Sequence, residues 1–135
     1  MPTHENYDTL IKLARKDLDL AKNSSTMENL YIEGICFHCQ QCAEKSLKAF
    51  IIFHNIRYKF THDLEKLCKD CIDIDKSFSS ILNPCLILTY YSSDIRYLDD
   101  GLIFEKDMFE AIELADEGLE FVKAKCFLTI HDQNS

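Results

Sequence analysis

MENLYIEGICFHCQQCAEKSLKAFIIFH, residues Met27 to His54, contains no proline and one glycine, Gly34. Wound at about 100° per residue, it places Ile35, Cys36, Cys39, Cys42, Ala43, Leu47 and Phe50 on one apolar arc. His38, Gln40, Gln41, Glu44, Lys45 and Lys48 fall mostly on the other. That spacing predicts one long amphipathic helix at the centre of the molecule. From Ala49 to Phe53 the stretch is apolar all round, which predicts burial on most sides, by loops or by a second subunit.

The flanking chain supplies the helices that cover it. Tyr7, Leu10, Ile11, Ala14, Leu18 and Ala21 recur at helical steps and predict a first helix over Glu5 to Asn23. Asn23 to Thr26 ends it, with Ser25 or Thr26 expected to cap the long helix. Beyond a connector, Asn55 to Thr61, Thr61 is the expected N-cap of a third helix carrying Leu64, Leu67, Cys68 and Cys71. A fourth helix is expected over Phe78 to Arg96, kinked by Pro84 or restarting at Asn83. Tyr97 to Leu102 reads as a loop, and a fifth helix follows from Phe104 to Phe127. Three glycines and two prolines in 135 residues leave few tight turns, which disfavours a β-rich fold. The expected fold is all-α, a five-helix antiparallel up-and-down bundle with a four-helix core plus one. A single domain over residues 1–128 is expected, with 129–135 as a flexible tail.

The net charge is −8, which argues against duplex DNA as a ligand of the whole surface, since phosphate neutralisation needs a clustered basic face. No run approaches the roughly 20 apolar residues of a membrane span, and the first residues lack the order of a signal peptide. A cytoplasmic protein with reduced cysteines is expected. Cys36, Cys39 and Cys42, with Cys68 and Cys71, have CxxC spacing, but inside amphipathic helices they read as buried thiols rather than zinc ligands. No metal and no resident cofactor are expected.

One segment departs from the acidic background. Lys45 to His62 holds Lys45, Lys48, Arg57 and Lys59 and no acid, a local +4 that leaves −12 on the rest of the chain. Such segregation suits a phosphate, a nucleotide, exposed RNA or an acidic partner face. Pairing with Asp94, Asp99 and Asp100 is the structural alternative. If the helices alternate in direction, the second ends, the third begins and the fourth ends at one pole. Lys48, roughly 9 Å below that pole, would then share a region with His62, Asp63 and Arg96. Arg57 and His62, with four residues between them, carry the groups for phosphoryl-oxygen stabilisation and general acid–base work. Tyr90, Tyr91, Arg96 and Tyr97 form an aromatic and arginine cluster suited to base stacking or to a half-buried core.

Three blocks together carry a family resemblance: Phe37-His38-Cys39-Gln40-Gln41-Cys42-Ala43-Glu44-Lys45-Ser46-Leu47-Lys48-Ala49, then Thr61-His62-Asp63-Leu64, then Tyr90 to Asp99. In this order they resemble the HEPN domain family (higher eukaryotes and prokaryotes nucleotide-binding), whose helix reads F-x-A-x-Q-x-A-E-K-x-L-K-A before T-H-D-L and Y-x(n)-R-Y-P-D. The resemblance implies an all-α bundle, a homodimer, and nucleotide or single-stranded RNA as ligand. It also implies a minimal nucleotidyltransferase as toxin–antitoxin partner, and metal-independent RNase activity in some branches. By position it implies Glu44, Lys45, Lys48, His62, Asp63 and Arg96 as site residues. The family's Arg-x4-6-His RNase motif has no match at Arg96, which no histidine follows in range, and Leu98 replaces the usual proline. The expectation is therefore a binding module, with an RNase using His62 and Arg57 or Arg96, or a purely structural dimerisation module, as alternatives.

Overall fold

The computed structural model describes the backbone of residues 4–92 and 102–134 and the side chains of 7–92 and 102–126. Arg96, Tyr97, Asp94, Asp99 and Asp100 lie outside the described residues, so the third block is visible only through Ser92. Five α-helices lie among the described residues: α1 (His4–Ser24), α2 (Ile32–Phe53), α3 (Leu64–Ile74), α4 (Leu82–Leu88) and α5 (Glu105–Asn134). There is no strand among the described residues. The all-α, five-helix architecture is the expected one.

Helix α1 buries Ala14, Leu18 and Ala21 completely. Its terminus consumes the residues expected to cap the next helix: Ser25 Oγ donates to the Lys22 carbonyl at 2.7 Å and Thr26 Oγ1 to that of Asn23 at 2.8 Å. Helix α2 begins at Ile32 rather than Met27, six residues beyond Thr26, and has no side-chain cap. The apolar turns from Ala49 to Phe53 are all buried within a single chain. Tyr7 meets Phe53 edge-on at 5.1 Å, and Phe78 packs on Phe50 at 4.2 Å. Their burial therefore needs no second subunit.

The end of α2 sets the topology. Asn55 adopts φ 61°, donating from its backbone to Ile52 O at 2.7 Å while Ile56 donates to Ile51 O at 3.2 Å. This paired closure around a left-handed residue is how helices commonly end and turn back. The connector then runs back along α2, because the His62 carbonyl accepts from Gln40 Nε2 at 3.1 Å. Gln40 lies roughly 20 Å before the end of α2 at the helical rise. From there α3 advances in the same direction as α2: Cys71 Sγ bonds the Leu47 carbonyl at 3.7 Å, and Phe78 reaches Phe50. The shared pole expected from alternation is thus corrected at one step. The third helix begins beside the middle of the second, not at its end.

The N-cap of α3 is Asp63, not Thr61. Asp63 Oδ1 accepts from Glu65 N at 3.0 Å and from Lys66 N at 3.4 Å, while Thr61 Oγ1 accepts from Asp63 N at 3.1 Å. The expected fourth helix is broken into a 3-10 turn (Lys76–Ile81), α4, and a second 3-10 turn (Thr89–Tyr91). Pro84 sits in the first turn of α4, where its missing N–H falls among donors that have no helical partner anyway. The chain returns to the start of α3, where Leu64 N donates to Thr89 Oγ1 at 2.9 Å. On α5, Met108, Ala111, Ala115, Leu119, Val122 and Cys126 form a fully buried stripe. The helix continues past Phe127 to Asn134, through most of the segment expected as a tail.

All seven cysteines are free and buried among these apolar side chains. Burial pushes the Cys42 thiol up to about 12, with the Asp17 charge adding to it, and that of Cys126 to about 11. They behave as small hydrophobes, as their place on the apolar arc predicts.

Candidate functional site

Gln40, Glu44 and Lys48 stand at successive four-residue steps on α2, so their side chains form one ladder along the helix. Against that ladder the returning connector lays His62. Glu44 is the centre: its side chain is 6% exposed, and a carboxylate so buried must be fully hydrogen-bonded. It is. Oε1 accepts from Gln40 Nε2 at 3.1 Å and pairs with His62 Nδ1 at 2.9 Å; Oε2 accepts from Lys48 Nζ at 3.0 Å. Burial pushes the Glu44 carboxyl up, but the bonds from His62, Lys48 and Gln40 outweigh it, so the group is held below its usual range and is ionised.

An ionised carboxylate only accepts hydrogen bonds, so the pairing fixes a proton on His62 Nδ1. Nε2 is left with no partner among the described residues, on a side chain 56% exposed. The support is rigid. Gln40 is fully buried and also accepts from Gln41 Nε2 at 2.8 Å, and Thr89 Oγ1 reaches the His62 carbonyl at 3.4 Å. Lys48 Nζ also lies 4.9 Å from the centre of the Tyr58 ring, which fastens the connector to the ladder. Shallow depressions of about 350 and 250 Å³ lie at the α1–α2 turn and beside Tyr58, and neither is lined by Glu44, Lys48 or His62. His62 is the exposed member of the site, with Glu44 and Lys48 largely buried behind it.

These features meet their relatives at the family level. The HEPN domain family model matches residues 7–125. The chain belongs to the HEPN domain family. Among solved structures, an archaeal HEPN homologue, ST0689, superposes with a TM-score of 0.72 at 28% identity, covering 89% of this chain and 97% of that one. TT1696 from Thermus thermophilus gives 0.71 at 23% identity, covering 93% and 99%, and shares the fold. No curated protein matches.

Within this HEPN domain the residues singled out from sequence separate into groups. Lys48 and His62 come together on Glu44. Lys45 does not join them: it points to α1, where Asp17, its side chain only 9% exposed, takes both Lys45 Nζ and His38 Nδ1, the latter at 2.9 Å. Asp63 is used as the α3 cap. Lys59 pairs with Asp70 at 3.5 Å. Arg57 is exposed and makes no ion pair among the described residues. The local +4 is therefore largely neutralised inside the fold, by Asp17, Glu44 and Asp70. Gln40 and Thr89 were missed. The four-residue Gln40–Glu44–Lys48 ladder was a readable signal for the first; Thr89, 25 residues from the backbone it bonds, had none.

Proposed function

We propose that this HEPN domain binds the phosphate of a nucleotide or of single-stranded RNA at the His62 edge of α2, with Arg57 as the second cation. The carrying observation is the buried Glu44 that holds His62 by Nδ1. Lys48 already neutralises Glu44, so a protonated His62 adds a full positive charge to the edge and presents Nε2–H as a donor. A charge-assisted bond from a fixed imidazole suits a phosphate oxygen. Arg57 supplies the planar fork that matches phosphate geometry. A homodimer, and a minimal nucleotidyltransferase as partner in a toxin–antitoxin-like pair, complete the proposal on the strength of the family resemblance.

The test is titration of ATP, GTP and short single-stranded RNA at about 50 and about 200 mM salt. Binding that weakens with salt, and weakens further in Arg57→Ala and His62→Ala, supports the reading; no salt-sensitive binding overturns it.

The same carboxylate–imidazole pair favours one second reading. In neutral His62 the Nε2 lone pair is free to take the proton of a ribose 2′-hydroxyl, the first step of metal-independent RNA cleavage. Cleavage of single-stranded RNA in EDTA that is lost in His62→Ala would place this reading first. Absence of cleavage by the protein freed of any partner retires it.

A further inference from the structure

Phe60 is 95% exposed, more than any other large apolar side chain among the described residues. A lone exposed apolar residue is unremarkable, but this one is held in place. Thr61 N donates to the Lys59 carbonyl at 3.0 Å, closing a three-residue turn with Phe60 at its apex. Both flanks of the turn are fastened to the helices. On one side Tyr58 lies under Lys48 and Lys59 pairs with Asp70. On the other, the His62 carbonyl and ring are bonded to Gln40 and Glu44. The Phe60 ring meets Tyr58 in a T-shaped contact, 6.1 Å between ring centres, and nearly all of its surface is open to solvent.

The surrounding charge identifies the occupant. Residues 55–62 read NIRYKFTH; Arg57 is exposed and makes no ion pair among the described residues, while Lys59 is already paired with Asp70 at 3.5 Å. An exposed ring three residues from an arginine that makes no ion pair among the described residues offers the two elements that hold single-stranded nucleic acid: a phosphate on the cation and a base on the ring face. We propose that Phe60 is a base-stacking platform, and that the ligand of the His62 edge is a single strand with an unpaired base rather than a bare phosphate or a duplex. This inference rests on the phosphate-binding reading above and narrows its ligand.

The experiment measures fluorescence anisotropy of the full chain with three labelled probes: a short single-stranded oligouridylate, the same backbone without bases, and a duplex RNA. Phe60→Ala removes an exposed ring that supports no core contact, so the variant folds as the parent does. The expected result is a roughly 5- to 100-fold loss of oligouridylate affinity in Phe60→Ala, the range of one base–aromatic stack, with recovery in Phe60→Trp. Abasic and duplex probes lose nothing in Phe60→Ala but weaken in Arg57→Ala. Equal binding of oligouridylate and abasic backbone, both untouched by Phe60→Ala, overturns the stacking inference and leaves the phosphate reading standing. No salt-sensitive binding of any probe overturns both. A change in oligomeric state in Phe60→Ala, with RNA affinity unaltered, assigns the ring to a protein partner and also overturns the inference.

Discussion

Glu44 is a buried charge whose stability depends on every donor it holds, and that dependence has a measurable sign. Its carboxyl is held below the usual range in the folded state by His62, Lys48 and Gln40, against the opposing effect of burial. A group depressed on folding stabilises the protein above its unfolded value, and that contribution is lost as pH falls through the folded value. Urea denaturation should therefore show parent stability declining below about pH 4.5, the ordinary glutamate value. Glu44→Gln should have a flatter acid limb and lower stability at neutral pH, by about 2–3 kcal/mol, because Lys48 is left nearly buried without its carboxylate. An unchanged acid limb would mean the carboxylate is not held as described. The residue scale also shows where sequence reading stops. Lys45 and Lys48 are three positions apart and look equivalent. Only Asp17, 28 residues before Lys45 on another helix, separates their roles.

The start of α3 shows a similar division at the scale of the element. A Thr-x-Asp sequence offers two N-cap candidates, and propensity barely distinguishes them. The structure gives the role to Asp63 because Thr61 is used one step earlier, on the Asp63 amide. Asp63→Ala should cost about 1 kcal/mol of stability in denaturant titration, with Asp63→Asn recovering most of it. Thr61→Ala should cost distinctly less. The apolar periodicities of α1, α2 and α5 were fully legible, since Ala14, Leu18, Leu47, Ala115 and Leu119 obey one helical repeat. The direction of α3 was not. It depends on Asn55 turning back in the left-handed conformation and on a buried amide of Gln40 catching a carbonyl 22 residues away. Nothing periodic encodes either contact.

For the whole molecule, packing is most extensive where α1 and α2 meet, with α5 against α2 next, and the Lys76–Ile81 turn adds a seam between α2 and α5 through one aromatic side chain. Phe78 is its hinge pin: it lies 4.2 Å from Phe50 and 4.9 Å from Phe121, ring centre to ring centre, and is fully buried. Phe78→Ala should lower stability by about 3–5 kcal/mol, read as a lower denaturant midpoint with little change in slope. A loss below about 1 kcal/mol would show that the 3-10 turn is not the packing element described. No helix among the described residues is long and apolar enough to cross a membrane. The proposed ligand edge is that of Glu44 and His62, where a nearly buried carboxylate holds a half-exposed imidazole. The most direct measurement of that claim is a long-range ¹H–¹⁵N NMR correlation of the His62 imidazole, recorded while single-stranded RNA is titrated in. The account predicts that the Nε2 signal shifts with ligand while Nδ1 keeps its proton on Glu44. RNA binding that leaves both His62 nitrogens unmoved would contradict it.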